Sequence, residues 1–168
     1  MDSLRPMSTS NKIITRWSEA TIDKFVTGLR RKKKKIVFTN GVFDILHYGH
    51  IDFLTKAKAL GDVLVVGLNT DSSVRKFKPK GRPVQNEKDR AGILAALEMV
   101  DYVVLFSEET PERLIKSVRP DVLAKGADYK ITEIVGADFV KSYGGKVRRI
   151  RLAKGRSTTT IIRKIKRL

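Results

Sequence analysis

The only two histidines in the 168 residues stand three apart, in Thr39-Asn40-Gly41-Val42-Phe43-Asp44-Ile45-Leu46-His47-Tyr48-Gly49-His50. Imidazoles at that spacing within one helical turn point toward one place. Pre-placed N–H donors of this kind stabilise charge that grows on phosphoryl oxygens, and no nucleophile from the protein is needed. The setting favours such a role. Ile36-Val37-Phe38 is short, apolar and β-rich, as a buried parallel strand is, and Asn40-Gly41 breaks it at the carboxyl end, where open α/β sheets bind ligands. From Ile51 the apolar residues recur at helical spacing until Gly61, so His50 falls at or just inside a helix start. That start offers unpaired N–H groups and the positive end of a dipole, and Gly49 lets backbone come close to a ligand. A histidine is more often an ordinary structural or solvated residue. These two flank a glycine at a strand-to-helix corner, and the phosphate-site reading is preferred.

Further stretches fit the same chemistry. Gly155-Arg156-Ser157-Thr158-Thr159-Thr160 precedes Ile161, Ile162, Ile165 and Leu168 at helical spacing. Plain capping accounts for one hydroxyl; four in a row after Gly-Arg predict an anion nest. Residues 72–86 carry Arg75, Lys76, Lys78, Lys80 and Arg82 among Pro79, Gly81 and Pro83, which predicts a basic, helix-poor loop lying over the histidines as a lid. Arg90 sits near the start of a helix expected over 87–99, where the dipole gives a cation nothing, so an anionic partner is expected for it. A strand at 121–124 runs into Lys125-Gly126-Ala127-Asp128-Tyr129, which brings a cation and a close-approach backbone to the same sheet edge. Asp128 suits a ribose or sugar hydroxyl, or a turn.

The elements that must position these residues follow from periodicity. Ser18 caps a helix carrying Ala20, Phe25, Val26 and Leu29; strands are expected at 36–38, 62–69, 100–106, 121–124 and 145–152; helices are expected at 51–60, 87–99, 108–118 and 131–143. Residues 1–11 are expected to be mobile. The resulting fold class is α/β: a Rossmann-like, five-stranded, mostly parallel sheet with helices on both faces. An N-terminal tail and helix at 1–35 would precede one domain at 36–168.

Composition narrows the alternatives. With 41% hydrophobic and 32% charged residues the chain suits one compact domain. It has no Cys, which excludes disulfides, thiolate metal sites and a thiol nucleophile, and suits a cytoplasmic setting. No apolar run approaches membrane-spanning length, and neither the polar start nor the basic run at 30–35 reads as a signal peptide. The net charge of +17 invites a nucleic-acid-binding reading. Six basic residues lie in 30–35 and ten in 146–168, with no acid in either; the other 19 nearly balance the 18 acidic residues. No aromatic cluster interleaves with the basic residues as in single-strand binders, so the expectation is no nucleic acid and no membrane.

Gly41 through His50 resembles the HxGH signature of the cytidylyltransferase-like nucleotidyltransferases. From about residue 36 to 168 the chain is similar above all to the branch that adenylylates D-glycero-β-D-manno-heptose 1-phosphate. The resemblance implies ATP and Mg2+, a nucleotide sugar and pyrophosphate as products, and a role in making lipopolysaccharide or another surface polysaccharide. It implies catalytic roles for His47, His50 and Lys78. It further implies nucleotide or sugar-phosphate contacts at Asn40, Gly41, Phe43, Asp44, Gly49, Arg82, Arg90, Lys125, Gly126, Asp128, Arg156, Ser157, Thr158 and Thr159. No protein-held metal site is expected, though Asp44 is a candidate water-mediated partner of the nucleotide's metal or else a turn cap. Lys78-Pro79-Lys80-Gly81-Arg82-Pro83 departs from the family's Lys-Gly-x-x-Arg-Pro at Pro79 and leaves Lys80 as a competitor for Lys78. Ala127 departs from Lys-Gly-Gly-Asp-Tyr. Arg156 before Ser157-Thr158-Thr159 favours the heptose branch over the glycerol-phosphate cytidylyltransferases; a cytidylyltransferase of the glycerol- or ethanolamine-phosphate type or an FAD synthetase is the alternative. In this family the activity occurs fused behind a sugar kinase or alone; a stand-alone homodimer is expected here.

Overall fold

The computed structural model describes residues 9–153 and 155–168. Most of the expected mobile tail, residues 1–8, lies outside the described residues, and Thr9–Lys12 form a 3-10 turn. In chain order the elements are β1 (Ile13–Ile14), α1 (Glu19–Arg31), β2 (Ile36–Gly41), α2 (Tyr48–Lys58), β3 (Val63–Asn69), α3 (Asp71–Phe77) and α4 (Glu87–Ala96). There follow β4 (Tyr102–Phe106), α5 (Glu112–Val118), β5 (Val122–Gly126), α6 (Ala137–Ser142), β6 (Lys146–Ile150) and α7 (Thr158–Ile165).

The sheet order is β1-β4-β3-β2-β5-β6, and every pairing is parallel. It therefore has six strands rather than the five expected. The extra one, β1, is two residues long and pairs with Val103 and Val104; a dipeptide carries no periodicity to read. The connections move outward from β2 in both directions, first to β3 and β4, then to β5 and β6. This reversal opens a crevice at the carboxyl ends of β2 and β5, as in other doubly wound sheets.

Alternation along the strands divides the core in two, because successive side chains point to opposite faces. Val37, Leu64, Val66 and Val103 meet Phe53, Leu54 and Ala57 of α2 and Ala91, Leu94 and Ala95 of α4. On the other face Ile36, Phe38, Val65 and Val104 meet Ile22 and Val26 of α1, Leu114, Ile115 and Val118 of α5, and Val140 of α6. Ser18 caps α1 as its sequence predicts, accepting from the Thr21 N–H, while the Thr21 hydroxyl accepts from the Ser18 N–H.

Four expectations need correction. The helix expected over 108–118 begins only at Glu112, with Pro111 as its N-cap. The first part of the supposed loop at 72–86 is helical: Thr70 caps the Ser73 N–H and Val74 is buried, so α3 forms despite its charges. The helix expected over 87–99 ends at Ala96, where Leu97 turns extended. The helix expected over 131–143 is reduced to a 3-10 turn, Ile131–Glu133, and α6, because Gly136 adopts φ +82 between them. A Cβ on Gly136 would also lie 2.9 Å from Ile115.

Gly67 lies in the middle of β3, where a Cβ would stand 2.8 Å from the Phe38 ring and 3.2 Å from Asn40 Cβ. Phe38 is fully buried and cannot yield. Gly67→Ala is expected to lower stability by about 1–3 kcal/mol, read as a shifted urea midpoint with unchanged slope. A midpoint equal to that of the parent chain would show that this close packing is not felt.

Candidate active site

The corner between β2 and α2 is built around two residues with left-handed backbones, Phe43 (φ 47) and Ile45 (φ 48), neither a glycine. Each such conformation costs on the order of 1–3 kcal/mol and persists only where the surroundings hold it. Asp44 between them supplies the hold. Its buried carboxylate accepts from Arg82 Nε at 2.6 Å and from the Val84 N–H at 2.9 Å through one oxygen, and from the Gln85 N–H at 3.0 Å through the other. Gln85 Oε1 in turn accepts the Ile45 N–H. Burial alone would raise the Asp44 pKa, but the Gln85 and Val84 N–H groups and Arg82 outweigh it and hold it below its ordinary value. The carboxylate of Asp44 is taken up by three donors from residues 82–85, none of them in its own turn.

His47 is the N-cap of α2 and leaves its side chain free of capping. Its ring stacks on that of His50 at 3.8 Å between centroids and 18° between planes. Phe43 meets His50 edge-on at 5.3 Å. The Nδ1 atoms of both histidines are buried without a hydrogen-bond partner, two polar atoms a ligand would satisfy. Burial first, then His47, pushes His50 down to about 4, against the opposing pull of Asp44. His47 is likewise lowered by burial and then by Arg156. Both rings are thus neutral near pH 7, where a neutral imidazole still donates one N–H. Gly49 is required for packing: a Cβ there would lie 3.0 Å from the His47 ring and 3.1 Å from Arg156 Cβ.

The facing wall comes from β5 and the start of α7. Lys125 Nζ donates to the Asn40 carbonyl at 3.2 Å and lies 5.6 Å from the Tyr129 ring centroid. Burial pushes Lys125 down to about 8, with Asp128 opposing. Asp128 folds over the bare Cα of Gly126, where an added Cβ would clash with its carboxylate at 2.2 Å. Ser157 caps α7 by accepting from the Thr160 N–H, so capping accounts for this hydroxyl. Thr158 Oγ1 donates to the Asp44 carbonyl and ties the two walls together.

These groups line one cleft of about 520 Å³. Every residue singled out from the sequence as catalytic or ligand-binding lies on it except Arg90. The guanidinium of Arg90 is buried and donates to Asp71 at 2.7 Å, to the Val42 carbonyl at 2.7 Å and to the Gln85 carbonyl at 3.0 Å. The anionic partner expected for Arg90 is therefore Asp71, and its reach toward substrate is corrected to a framework role behind the 42–45 loop. Lys78 reaches the cleft from the C-cap of α3 and Lys80 does not line it. Asn69, Phe77, Glu109, Pro111 and Leu152 also line the cleft and were not singled out from sequence. Asn69 ends a strand, and Glu109 and Leu152 follow one by two or three residues, which was the available signal. A larger open groove of about 1090 Å³ lies between α1 and α5. Its Arg113 is already paired with Glu19 and Glu108, and its cations stand among the carboxylates of Glu19, Asp23, Glu108, Glu109 and Glu112.

The depressed His50 has a consequence for stability. The unfolded chain takes up this proton near 6.5 and the folded chain only near about 4, so the stability tied to neutral His50 is complete above about 6.5 and is lost as pH falls toward 4. His50→Asn is expected to flatten the loss of melting temperature across that window. Equal slopes for the two proteins would contradict the burial of a neutral His50.

A family model described as Cytidylyltransferase-like matches residues 38–164. Bifunctional protein HldE of Syntrophotalea carbinolica is 56% identical over 136 residues, 81% of this chain and 28% of that protein. Bifunctional protein HldE of Helicobacter pylori strain J99 is 53% identical over 146 residues, 87% of this chain and 31% of that protein. The chain thus spans less than a third of the length of these relatives. Among solved structures, the lipopolysaccharide core biosynthesis protein from Thermoplasma volcanium is 33% identical, with TM-score 0.58 over 73% of this chain and 99% of that one. Pantoate-beta-alanine ligase from Francisella tularensis, at 17% identity and TM-score 0.57, covers 93% of this chain and 80% of that one and shares the fold. With the HxGH corner, the doubly wound parallel sheet and a match over most of its length, this chain belongs to the cytidylyltransferase-like family of nucleotidyltransferases.

Proposed function

We propose that the chain transfers the adenylyl group of ATP to D-glycero-β-D-manno-heptose 1-phosphate, forming ADP-heptose and pyrophosphate for lipopolysaccharide or a related surface polysaccharide. The observation that carries the reading is the pair of stacked, neutral imidazoles facing Arg156 and the α7 start across Gly49. It is supported by the Arg156-Ser157-Thr158-Thr159 sequence and by the identity to bifunctional HldE proteins.

The chemistry is an in-line displacement. An oxygen of the acceptor phosphate forms a bond to the α phosphorus, the bond from that phosphorus to the β-bridging oxygen breaks, and the electron pair leaves with pyrophosphate. His47 and His50 would donate to oxygens on which charge accumulates. Lys78 would follow the β phosphate from the lid, and Ser157, Thr158 and Thr159 with the free N–H groups of α7 would hold the leaving group. Among the described residues no group of three or more His, Asp or Glu is placed to hold a metal, and the Asp44 carboxylate is occupied. The residues do not fit a protein-held Mg2+; the ion would arrive as the nucleotide's own counterion. No helix among the described residues is long and apolar enough to cross a membrane. A cytoplasmic homodimer fits the resemblance and the absence of Cys.

Incubating the chain with each nucleoside triphosphate and a panel of sugar, polyol and amino-alcohol phosphates, and measuring pyrophosphate, tests the proposal. ATP with the heptose phosphate is the expected best pair; CTP with glycerol phosphate as the best pair would replace it. His50→Ala is expected to lower kcat by roughly 10²–10³ with little change in KM for ATP, and a variant altered only in KM would remove the catalytic role. Lys78→Met is expected to reduce turnover at saturating substrates well below that of Lys80→Met. The reverse ranking would assign the phosphate lysine to Lys80.

A further inference from the structure

We propose that Glu109, with Asn40 and Asn69, forms a subsite for the hydroxyl groups of the acceptor's polyol portion. The proposal rests on the reading of the cleft as a nucleotidyltransferase site.

The three residues come from neighbouring strands on one side of the histidine pair. Asn40 lies on β2, Asn69 ends β3, and Glu109 follows β4 by three residues. Gly126, Asp128 and Arg156 line the same cleft from the β5 and β6 side. The β3–β4 side is held firmly. Asn69 Nδ2 donates to Ser73 Oγ at 3.0 Å, Ser73 Oγ donates to the Glu108 carbonyl at 3.1 Å, and the Thr70 N–H donates to the Phe106 carbonyl at 3.0 Å.

Charge assigns what this side can bind. Apart from Arg82, which is paired with Asp44, the cleft holds the cations Lys78, Lys125 and Arg156, as an anionic ligand requires. Glu109 makes no ion pair or hydrogen bond with any described residue, whereas its neighbour Glu108 pairs with Arg113. Glu109 stands at the rim where the cleft meets the groove between α1 and α5; a free carboxylate against a phosphate would repel it, so the part of a ligand it can meet is one without charge. Carboxylate oxygens accept hydrogen bonds and donate none. Asn40 Oδ1, also on the cleft, is buried and lacks a donor. Acceptors without donors call for a ligand bearing hydroxyl groups, and two neighbouring hydroxyls match the two oxygens of one carboxylate. The cations hold the phosphate and Glu109 reads the hydroxylated carbons attached to it.

Glu109 is exposed, so its replacement spares the core. The test measures pyrophosphate release by the parent chain, Glu109→Gln and Glu109→Ala with ATP and heptose 1-phosphate, together with inhibition by ethyl phosphate, which has no hydroxyl. Glu109→Ala is expected to raise KM for the sugar phosphate by roughly 10- to 100-fold, Glu109→Gln by less, with KM for ATP and inhibition by ethyl phosphate unchanged. An unchanged KM for the sugar phosphate in the alanine variant, or a rise in KM for ATP instead, would overturn this subsite and leave the proposed activity standing. A parent chain inert toward every polyol phosphate would overturn the activity and the subsite together.

Discussion

The buried carboxylate of Asp44 holds the architecture of the site together. It lies between two non-glycine residues in left-handed conformations and accepts three hydrogen bonds, from Arg82 and from the Val84 and Gln85 N–H groups. Those donors belong to the segment before α4, so one anion fixes both the corner that carries the histidines and the end of the basic segment at 78–86. Its own backbone carbonyl receives the Thr158 hydroxyl, which brings α7 into register with the corner. Behind it, Arg90 gathers the Val42 and Gln85 carbonyls and Asp71 into the same framework. Charged groups that could have faced a ligand are here spent on geometry.

This use of charge leaves the two imidazoles as a neutral pair. Burial disfavours a proton on His50, and the His47 ring stacked at 3.8 Å adds to the effect. A ligand bearing several negative charges reverses the balance, since an anion near an imidazole favours its charged form. The rings are therefore poised to gain interaction energy as negative charge arrives or redistributes, which is the property that distinguishes transition-state from ground-state binding. The lysine at the end of β5 works in the same sense. Partly desolvated and lowered to about 8, Lys125 regains its full charge preference when an anion replaces the missing solvent.

Much of this was legible in the sequence, for definite reasons. Parallel strands buried on both faces read as continuous apolar runs, so β2 and β3 were visible, and glycines and histidines at a strand end mark a ligand corner. Lys125-Gly126 and Arg156-Ser157-Thr158-Thr159 could be placed because each follows a strand or opens a helix. The two-residue β1 and the helix at Asp71–Phe77 escaped, the first for want of length and the second because its charges masked a Thr70 cap and a buried Val74. The position of Arg90 in a first helical turn did signal an anionic partner. Which anion it would be, a protein carboxylate or a substrate phosphate, depends on tertiary packing that spacing does not carry. Glu109 escaped because a lone carboxylate in a turn looks like any solvated one until the cleft around it is seen.

The claim that a neutral, half-buried imidazole pair faces the nucleotide's phosphates is tested most directly by following the histidine ring resonances of the isotopically labelled chain through a pH titration, with and without a non-hydrolysable ATP analogue. In the free protein His50 should titrate near about 4, and bound analogue should move that titration upward, toward or beyond its ordinary value of 6.5. A His50 titration that stays in place when the analogue is bound would contradict the account.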